Sequence, residues 1–357
     1  MMNQMRAFIN SSDKNKANRL LYIDYLKALG ISLVILYHCK FVPFDNMGIH
    51  GLYAICVPLF FVINGYLMLR REYTIETLFK KNCKLLLVMF FWAFVSTLVY
   101  AYVSYDINLT FEYIITRTLI SNKPECIHLW FMKTIFILNI LNPIIYHFIN
   151  KNVNGSIYLL VIMSLWSIDF FDIISCRLAN PFVHWATAFS VLYYVAGHYF
   201  LDNNNNMIKR VVDCKYGGGF LCFIILLCIF LQWGYNWLFV DGIFQTLNLE
   251  KGWIIDIVFD NYNALFIVII TIALCMLFQR TNWNENKFWK FVGQNSLAIY
   301  LLQTPVQRLI QYWLPLDSLS EIHNLLGVIL PILTLLICML ITRLMLTNKY
   351  TTYLITI

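Results

Sequence analysis

The sequence predicts an all-α integral membrane protein, a bundle of about ten transmembrane helices with both termini in the cytoplasm. Three observations carry that reading. Of 357 residues, 60% are apolar and only 13% are charged, about half the charge a soluble globule uses to cover its surface. Mean hydropathy is +0.66, and the apolar residues gather in runs close to the ~20 that cross a hydrocarbon core of ~30 Å. The cationic residues, finally, sit in short clusters between those runs. A net charge of +7 distributed in this way forms no continuous basic face, which excludes a nucleic-acid binder. Most of the ten cysteines lie in or beside apolar runs, where they act as small hydrophobes rather than as a disulfide framework.

Ten runs meet the length criterion, at 22–41, 50–69, 85–103, 128–149, 157–171, 182–200, 219–239, 262–279, 296–314 and 325–346. They define a membrane domain over 22–346, between an N-terminal segment (1–21) and a tail (347–357). The first run follows a polar, basic segment and contains no Ala-x-Ala-like cleavage site, so it reads as a retained helix rather than a signal peptide. With the N-terminus placed inside, the inner segments hold 18 Lys and Arg and the outer ones 4. That asymmetry sets the orientation. Gly217, Gly218 and Gly219 read as a flexible connector before the seventh run. There is no Walker motif, no metal-ligand spacing and no serine nucleophile elbow.

Ionisable side chains within a span are costly unless they face a cavity or a partner, so each marks a candidate site. Asp24, Lys27 and His38 lie in the first run. Eleven residues at 100° each bring His38 to within about 20° of Lys27 on one helical face, with about 16 Å of rise between them. Lys27 then stands near the inner boundary and His38 near the outer one. At the inner level Asn64 joins Lys27, and Lys80, Lys81 and Lys84 follow in what reads as a cytoplasmic loop; together they suit a polyphosphate. Toward the outside, His128, Trp130 and Lys133 open the fourth run, and Arg308 follows Gln303 and Gln307 in the ninth. A cation there suits a developing oxyanion. Plainer readings stand beside these: an i,i+3 ion pair of Asp24 with a snorkelling Lys27, lysines that contact lipid headgroups, and Trp130 as an interfacial anchor. The outer connection from 240 to 261, with Trp253, Asp256 and Asp260, reads as a cap or an interfacial segment.

These residues carry a resemblance. The stretch Tyr22-Ile23-Asp24-Tyr25-Leu26-Lys27-Ala28-Leu29-Gly30, then Tyr37-His38, places a basic residue and a histidine with ten residues between them. Val57-Pro58-Leu59-Phe60-Phe61 leads to Asn64-Gly65-Tyr66-Leu67, and later come His128-Leu129-Trp130-Phe131-Met132 and Gly293 with Ser296-Leu297-Ala298-Ile299-Tyr300-Leu301-Leu302. In order and spacing the chain resembles the acyltransferase-3 family of integral membrane acyltransferases, and within it the compact enterobacterial-common-antigen type among bacterial surface-polysaccharide O-acetyltransferases. It departs from the family where lysines replace arginines (Lys27, Lys80, Lys84), where Asn64 replaces a serine, and where Gln303 stands for a frequent histidine. The chain ends eleven residues after the tenth run, so the hydrolase-like domain that some relatives append is not expected.

The resemblance implies transfer of an acyl group, usually acetyl, from cytoplasmic acyl-CoA to a hydroxyl of a cell-surface or lipid-linked glycan. It also implies a multi-pass protein of the bacterial inner membrane, with lipids and a glycan as partners. Acyl-CoA would be a donor substrate, with no resident cofactor and no metal. On this reading Lys27, Asn64, Lys80 and Lys84 hold the donor, and Asp24 orients Lys27. His38, whose imidazole type titrates near neutrality, is general base or acyl relay. His128, Trp130, Lys133 and Arg308 serve the acceptor and the oxyanion. One water-accessible channel is expected to join Lys27 to His38. The alternative from another class is a transporter or flippase for a lipid-linked sugar. Cys126 and Cys176 fall in outer connections and are candidates for pairing in an oxidising compartment.

Overall fold

A computed structural model of the chain describes residues 21–39, 53–104, 110, 112, 127–151, 154–167, 181–201, 210, 213–235, 265–313 and 323–356. Among the described residues there is no strand. The helices are α1 (Leu21–His38), α2 (Cys56–Met68), α3 (Ile75–Ser104), α4 (Trp130–Lys151), α5 (Gly155–Ser167), α6 (Pro181–Leu201), α7 (Gly217–Tyr235), α8 (Leu265–Arg280), α9 (Lys287–Gln294), α10 (Ser296–Trp313), α11 (His323–Met345) and α12 (Lys349–Tyr353). The described part of each of the ten predicted runs lies on a helix. Four helical segments, Leu21–His38, Ile75–Ser104, Trp130–Lys151 and Val328–Met345, are long and apolar enough to cross a membrane. Helices Cys56–Met68 and Leu265–Arg280 are apolar but shorter.

The outer helices show what surrounds them. Phe220, Phe223, Leu226, Leu227 and Phe230 are exposed on α7, and Ile329, Ile332, Leu336, Leu340 and Leu344 run as an exposed stripe down α11. Stripes of this extent exceed what water tolerates on a monomer and are the lipid face of a membrane bundle. By contrast, α2 buries ten of its thirteen residues, as expected of a helix that is apolar all round and central.

Helix α1 is the other central element: half of its spanning window is buried, against 28% for that of α11. It meets α2 where Gly30 accepts the Phe60 ring. Gln307 of α10 donates to the His38 carbonyl, and Cys39 contacts Thr334 of α11. At its N-terminal end the Tyr25 hydroxyl donates to the Asn284 carbonyl and accepts from the Asn286 N–H, both at 2.7 Å. Asn286 also caps α9, its side chain accepting from the N–H groups of Phe288 and Trp289. Beyond the membrane segments, the Glu285 carboxyl is held below its ordinary range by a hydrogen bond from Lys290.

Two contacts bring backbones together. A Cβ on Gly65 would overlap the Tyr194 carbonyl, and one on Gly197 would overlap the Val62 carbonyl. Helices α2 and α6 therefore pack main chain to main chain, the small-residue solution that lipid favours because apolar side chains gain nothing by leaving it. The Tyr194 hydroxyl then donates to Asn142 Oδ1 at 2.6 Å, fixing α4 to the pair. The second contact is at Gly293, where a Cβ would fall on the Asp24 carbonyl.

Three expectations need correction. Lys80, Lys81 and Lys84 lie not in a loop but on the first turns of α3, which begins at Ile75; the lysines lower the hydropathy there without breaking the helix. The triplet Gly217–Gly219 is the first turn of α7 rather than a connector. Gly218 lies beside the Arg280 side chain, which donates to the Cys214 carbonyl at 2.7 Å and holds the turn. The segment read as the connection before the ninth run contains the additional helix α9.

Replacing Gly65 or Gly197 by leucine is expected to cost at least roughly 1–3 kcal/mol by overpacking. The readout is a lowered thermal midpoint of the detergent-solubilised protein in fluorescence-detected size exclusion. An unchanged midpoint for both variants would contradict the close packing of α2 on α6.

Candidate functional site

A cavity of about 730 Å³ opens beside the N-terminal turns of α1 and α3 and the C-terminal end of α2. Lys27, Asn64, Arg70, Arg71 and Lys81 line it, with Asn139 from α4 and Ser296 from the start of α10. Helix phase explains this membership. On α3, Lys81 and Leu85 are one turn apart and both face the cavity. Lys80, 100° away, is exposed and pairs with Glu76 at 2.6 Å. Lys84 turns to the C-terminal segment, donating to the Thr356 hydroxyl at 3.3 Å and lying 4.5 Å over the Tyr353 ring. Trp92 reinforces that brace with a 2.8 Å bond to the Leu354 carbonyl. Of the donor-site residues expected from sequence, Lys27 and Asn64 therefore come together, whereas Lys80 and Lys84 do not line this cavity. Arg70 and Arg71 were not singled out in the sequence.

The cations are held by aromatic faces. Arg70 lies 4.9 Å over the Tyr66 ring, Arg71 4.7 Å and Lys81 4.4 Å over the Tyr73 ring. Lys81 also contacts the Met68 sulfur at 3.5 Å. Cation–π contacts position a charge without neutralising it. Among the described residues no carboxylate forms an ion pair with Lys27, Arg70, Arg71 or Lys81. Four positive groups around one apolar-walled recess make a focused positive field, suited to a multiply charged anion such as a polyphosphate.

Asp24 is half-buried at the edge of this region. It accepts a 3.1 Å hydrogen bond from the Gln294 side chain rather than forming an ion pair with Lys27. Its attraction still reaches Lys27.

Deeper in, the cavity is bounded by Phe60 and Phe131, whose ring centroids are 5.8 Å apart. Phe61 packs on Phe131 at 5.0 Å and Tyr300 on Phe131 at 5.6 Å. Beyond this aromatic wall lies a second polar group. His128, in the 3-10 turn before α4, is 2% exposed and 6.2 Å from the Tyr300 ring. Among the described residues neither of its ring nitrogens has a hydrogen-bond partner, and the same holds for the side-chain oxygen and nitrogen of Gln303. Tyr300, Gln303 and Gln307 follow i, i+3, i+7 spacing on α10, so they share a face. Gln307 reaches the His38 carbonyl, and His38 and Arg308 are close enough to act electrostatically on His128. Arg308 also lies 4.6 Å over the Tyr100 ring. Leaving such groups buried and unbonded costs about 1–3 kcal/mol each, which marks the place as one built to bond something polar.

Trp130 packs its ring against Phe131 and Phe189, and Lys133 is half-buried one turn further along α4. Neither His38 nor His128 is among the described residues that line the cavity, whereas Phe60 and Phe131 are. The connection 240–261, Cys126 and Cys176 lie outside the described residues. Among those described, no three His, Cys, Asp or Glu side chains are grouped to hold a metal ion.

Compared with known proteins, residues 20–343 match the family model described as an acyltransferase domain. No curated protein and no solved structure matches.

Binding of inorganic tripolyphosphate to the purified protein tests the charge assignment. Arg71→Ala and Lys81→Ala are each expected to weaken it about tenfold, the loss of one charge-assisted bond. Lys80→Ala should change it by less than about twofold, since an exposed pair contributes little. Equal losses at all three positions would mean that the cavity has no privileged role.

Proposed function

Because a match over residues 20–343 makes this chain a member of the acyltransferase-3 family of membrane acyltransferases, we propose that it transfers an acyl group, usually acetyl, from acyl-CoA to a hydroxyl of a cell-surface or lipid-linked glycan. The observation that carries the donor assignment is the cavity whose four cations have no carboxylate partner among the described residues. By the positive-inside asymmetry its mouth faces the cytoplasm of a bacterium, where acyl-CoA is made. Lys27, Arg70, Arg71 and Lys81 hold the donor's phosphates, and the flexible arm extends toward Phe60 and Phe131. Asp24, tied to Gln294, biases the Lys27 ammonium toward the cavity.

Chemistry takes place beyond the aromatic wall, among His38, His128, Gln303 and Arg308. The thioester reaches them when Phe60 and Phe131 part, a side-chain rearrangement rather than a domain motion. The acceptor oxygen forms the new bond to the thioester carbonyl carbon while His38 takes the hydroxyl proton. The C–S bond then breaks, and the imidazolium returns the proton to the departing thiolate. Arg308 and the Gln303 amide offset the charge on the tetrahedral oxygen, and Lys133 is the remaining candidate for that role. Trp130 and His128 serve the sugar. In the relay variant the acyl group first bonds to the His38 nitrogen, expels the thiolate, and passes to the hydroxyl in a second step.

His38→Ala is expected to abolish transfer of label from radiolabelled acetyl-CoA to surface glycan in membranes, while coenzyme A binding stays within about twofold of wild type. Substantial turnover in that variant would remove His38 from the mechanism. A trapped acyl-enzyme that disappears with His38→Ala selects the relay, and strictly ternary kinetics selects direct transfer. Lys27→Ala should raise the donor KM about tenfold, the scale of one charge-assisted bond, and leave the acceptor KM in place. Surface glycans that keep the same mass with and without the protein would overturn the glycan as acceptor.

A further inference from the structure

Two amide side chains, Asn64 and Asn139, line the cavity between its cationic mouth and its aromatic wall. Asn64 Nδ2 is buried and has no hydrogen-bond partner. Asn139 is 4% exposed, and its orientation is fixed by a short relay. Asn82 Nδ2 donates to the Phe136 carbonyl at 3.4 Å, so Asn82 Oδ1 faces the other way and accepts from Asn139 Nδ2 at 2.8 Å. A carbonyl can only accept, so this chain of bonds leaves no freedom to flip either amide. Asn139 thus gives one N–H to Asn82 and retains Oδ1 as an acceptor together with its second N–H. The cavity is thus lined by an amide from α2 whose Nδ2 has no partner among the described residues and by an amide from α4 whose orientation the Asn82 bond holds.

Depth along the helices gives the spacing. Asn64 lies four residues past Phe60 on α2, and Asn139 eight residues past Phe131 on α4. Since Phe60 and Phe131 touch and both helices run toward the cavity mouth, these offsets correspond to about 6 and 12 Å below the wall at 1.5 Å per residue. The two amides are therefore staggered by about 6 Å along the direction of entry.

We infer that Asn64 and Asn139 read the two amide groups of a pantetheine arm, Asn64 donating to the carbonyl of the amide nearer the thioester and Asn139 accepting the N–H of the farther one. The inference deepens the donor assignment above and rests on it. Two amides joined through a β-alanyl unit repeat at about 5 Å, one methylene longer than the ~3.5 Å per residue of an extended peptide. That matches the stagger, and two carbons separate the nearer amide from the sulfur, which puts the thioester at the Phe60–Phe131 wall. A free acyl phosphate or a simple ester offers neither group. The site then selects its donor by the arm as well as by the phosphates, because a buried donor or acceptor left unmatched is penalised strongly.

The test uses the purified full-length protein and two probes, coenzyme A and adenosine 3′,5′-bisphosphate, the second carrying phosphates without the arm. Asn64→Leu and Asn139→Leu are each expected to lower affinity for coenzyme A about tenfold and to leave the bisphosphate within about twofold. Asn64 has no protein partner to lose, so its variant carries the test even if breaking the Asn82–Asn139 bond prevents Asn139→Leu from folding. Equal loss for both probes, or no loss for either, overturns the amide reading while leaving the donor assignment in place. If the wild-type protein binds the bisphosphate but coenzyme A no more tightly, the arm is not recognised and the amide reading is overturned. If it binds neither probe, the donor assignment itself falls.

Discussion

Main-chain contact at two glycines governs where the functional groups stand. Gly65 lies against Tyr194, and this close approach commits one face of α2 to α6. Asn64, the next residue back and 100° round the helix, is left to the cavity. Gly293 lies against Asp24, which draws the start of α10 to the basic end of α1 and sets Ser296 in the same lining as Lys27. Side chains are mobile; backbones packed at this distance are not. The recess therefore comes preformed, and the energy of binding need not be spent on assembling it.

The electrostatics follow a similar economy. In hydrocarbon a lone cation is expensive, and the usual remedy is a carboxylate partner. Here the partners of Arg70, Arg71 and Lys81 are the rings of Tyr66 and Tyr73, which steady each side chain while leaving its charge available. The opposite strategy appears beyond the wall, where His128 and Gln303 carry unbonded polar atoms in a buried setting. One region displays excess charge and the other excess hydrogen-bonding capacity. They suit different chemical partners approaching from different sides.

The helices were legible in the sequence because lipid imposes a minimum length of apolar chain, and that constraint survives without any knowledge of packing. Lys27 and Asn64 were legible because depth can be counted in residues from a boundary. What escaped was phase. Reading 70–84 as a loop hid the fact that Lys80 and Lys81, neighbours in sequence, point 100° apart on α3, so that one binds Glu76 and the other faces the recess. Arg70 and Arg71 were absorbed into the topology signal, which uses the same residue types. Asn82 and Asn139 stood in plain view as amides within or beside apolar runs, yet spacing within one helix does not reveal a bond between two. The aromatic wall was equally hidden, since phenylalanines in a membrane span carry no sequence mark of what they obstruct.

That wall bears on a problem any enzyme built within a bilayer must solve. A membrane that stores energy as an ion gradient is discharged by any standing aqueous pore through it. Rings packed edge-on or tilted at Phe60, Phe61, Phe131 and Tyr300 fill the space between the cavity and the buried polar groups beyond it with apolar carbon. Under the acyl transfer proposed above, the same four side chains make that transfer compatible with an electrically tight membrane.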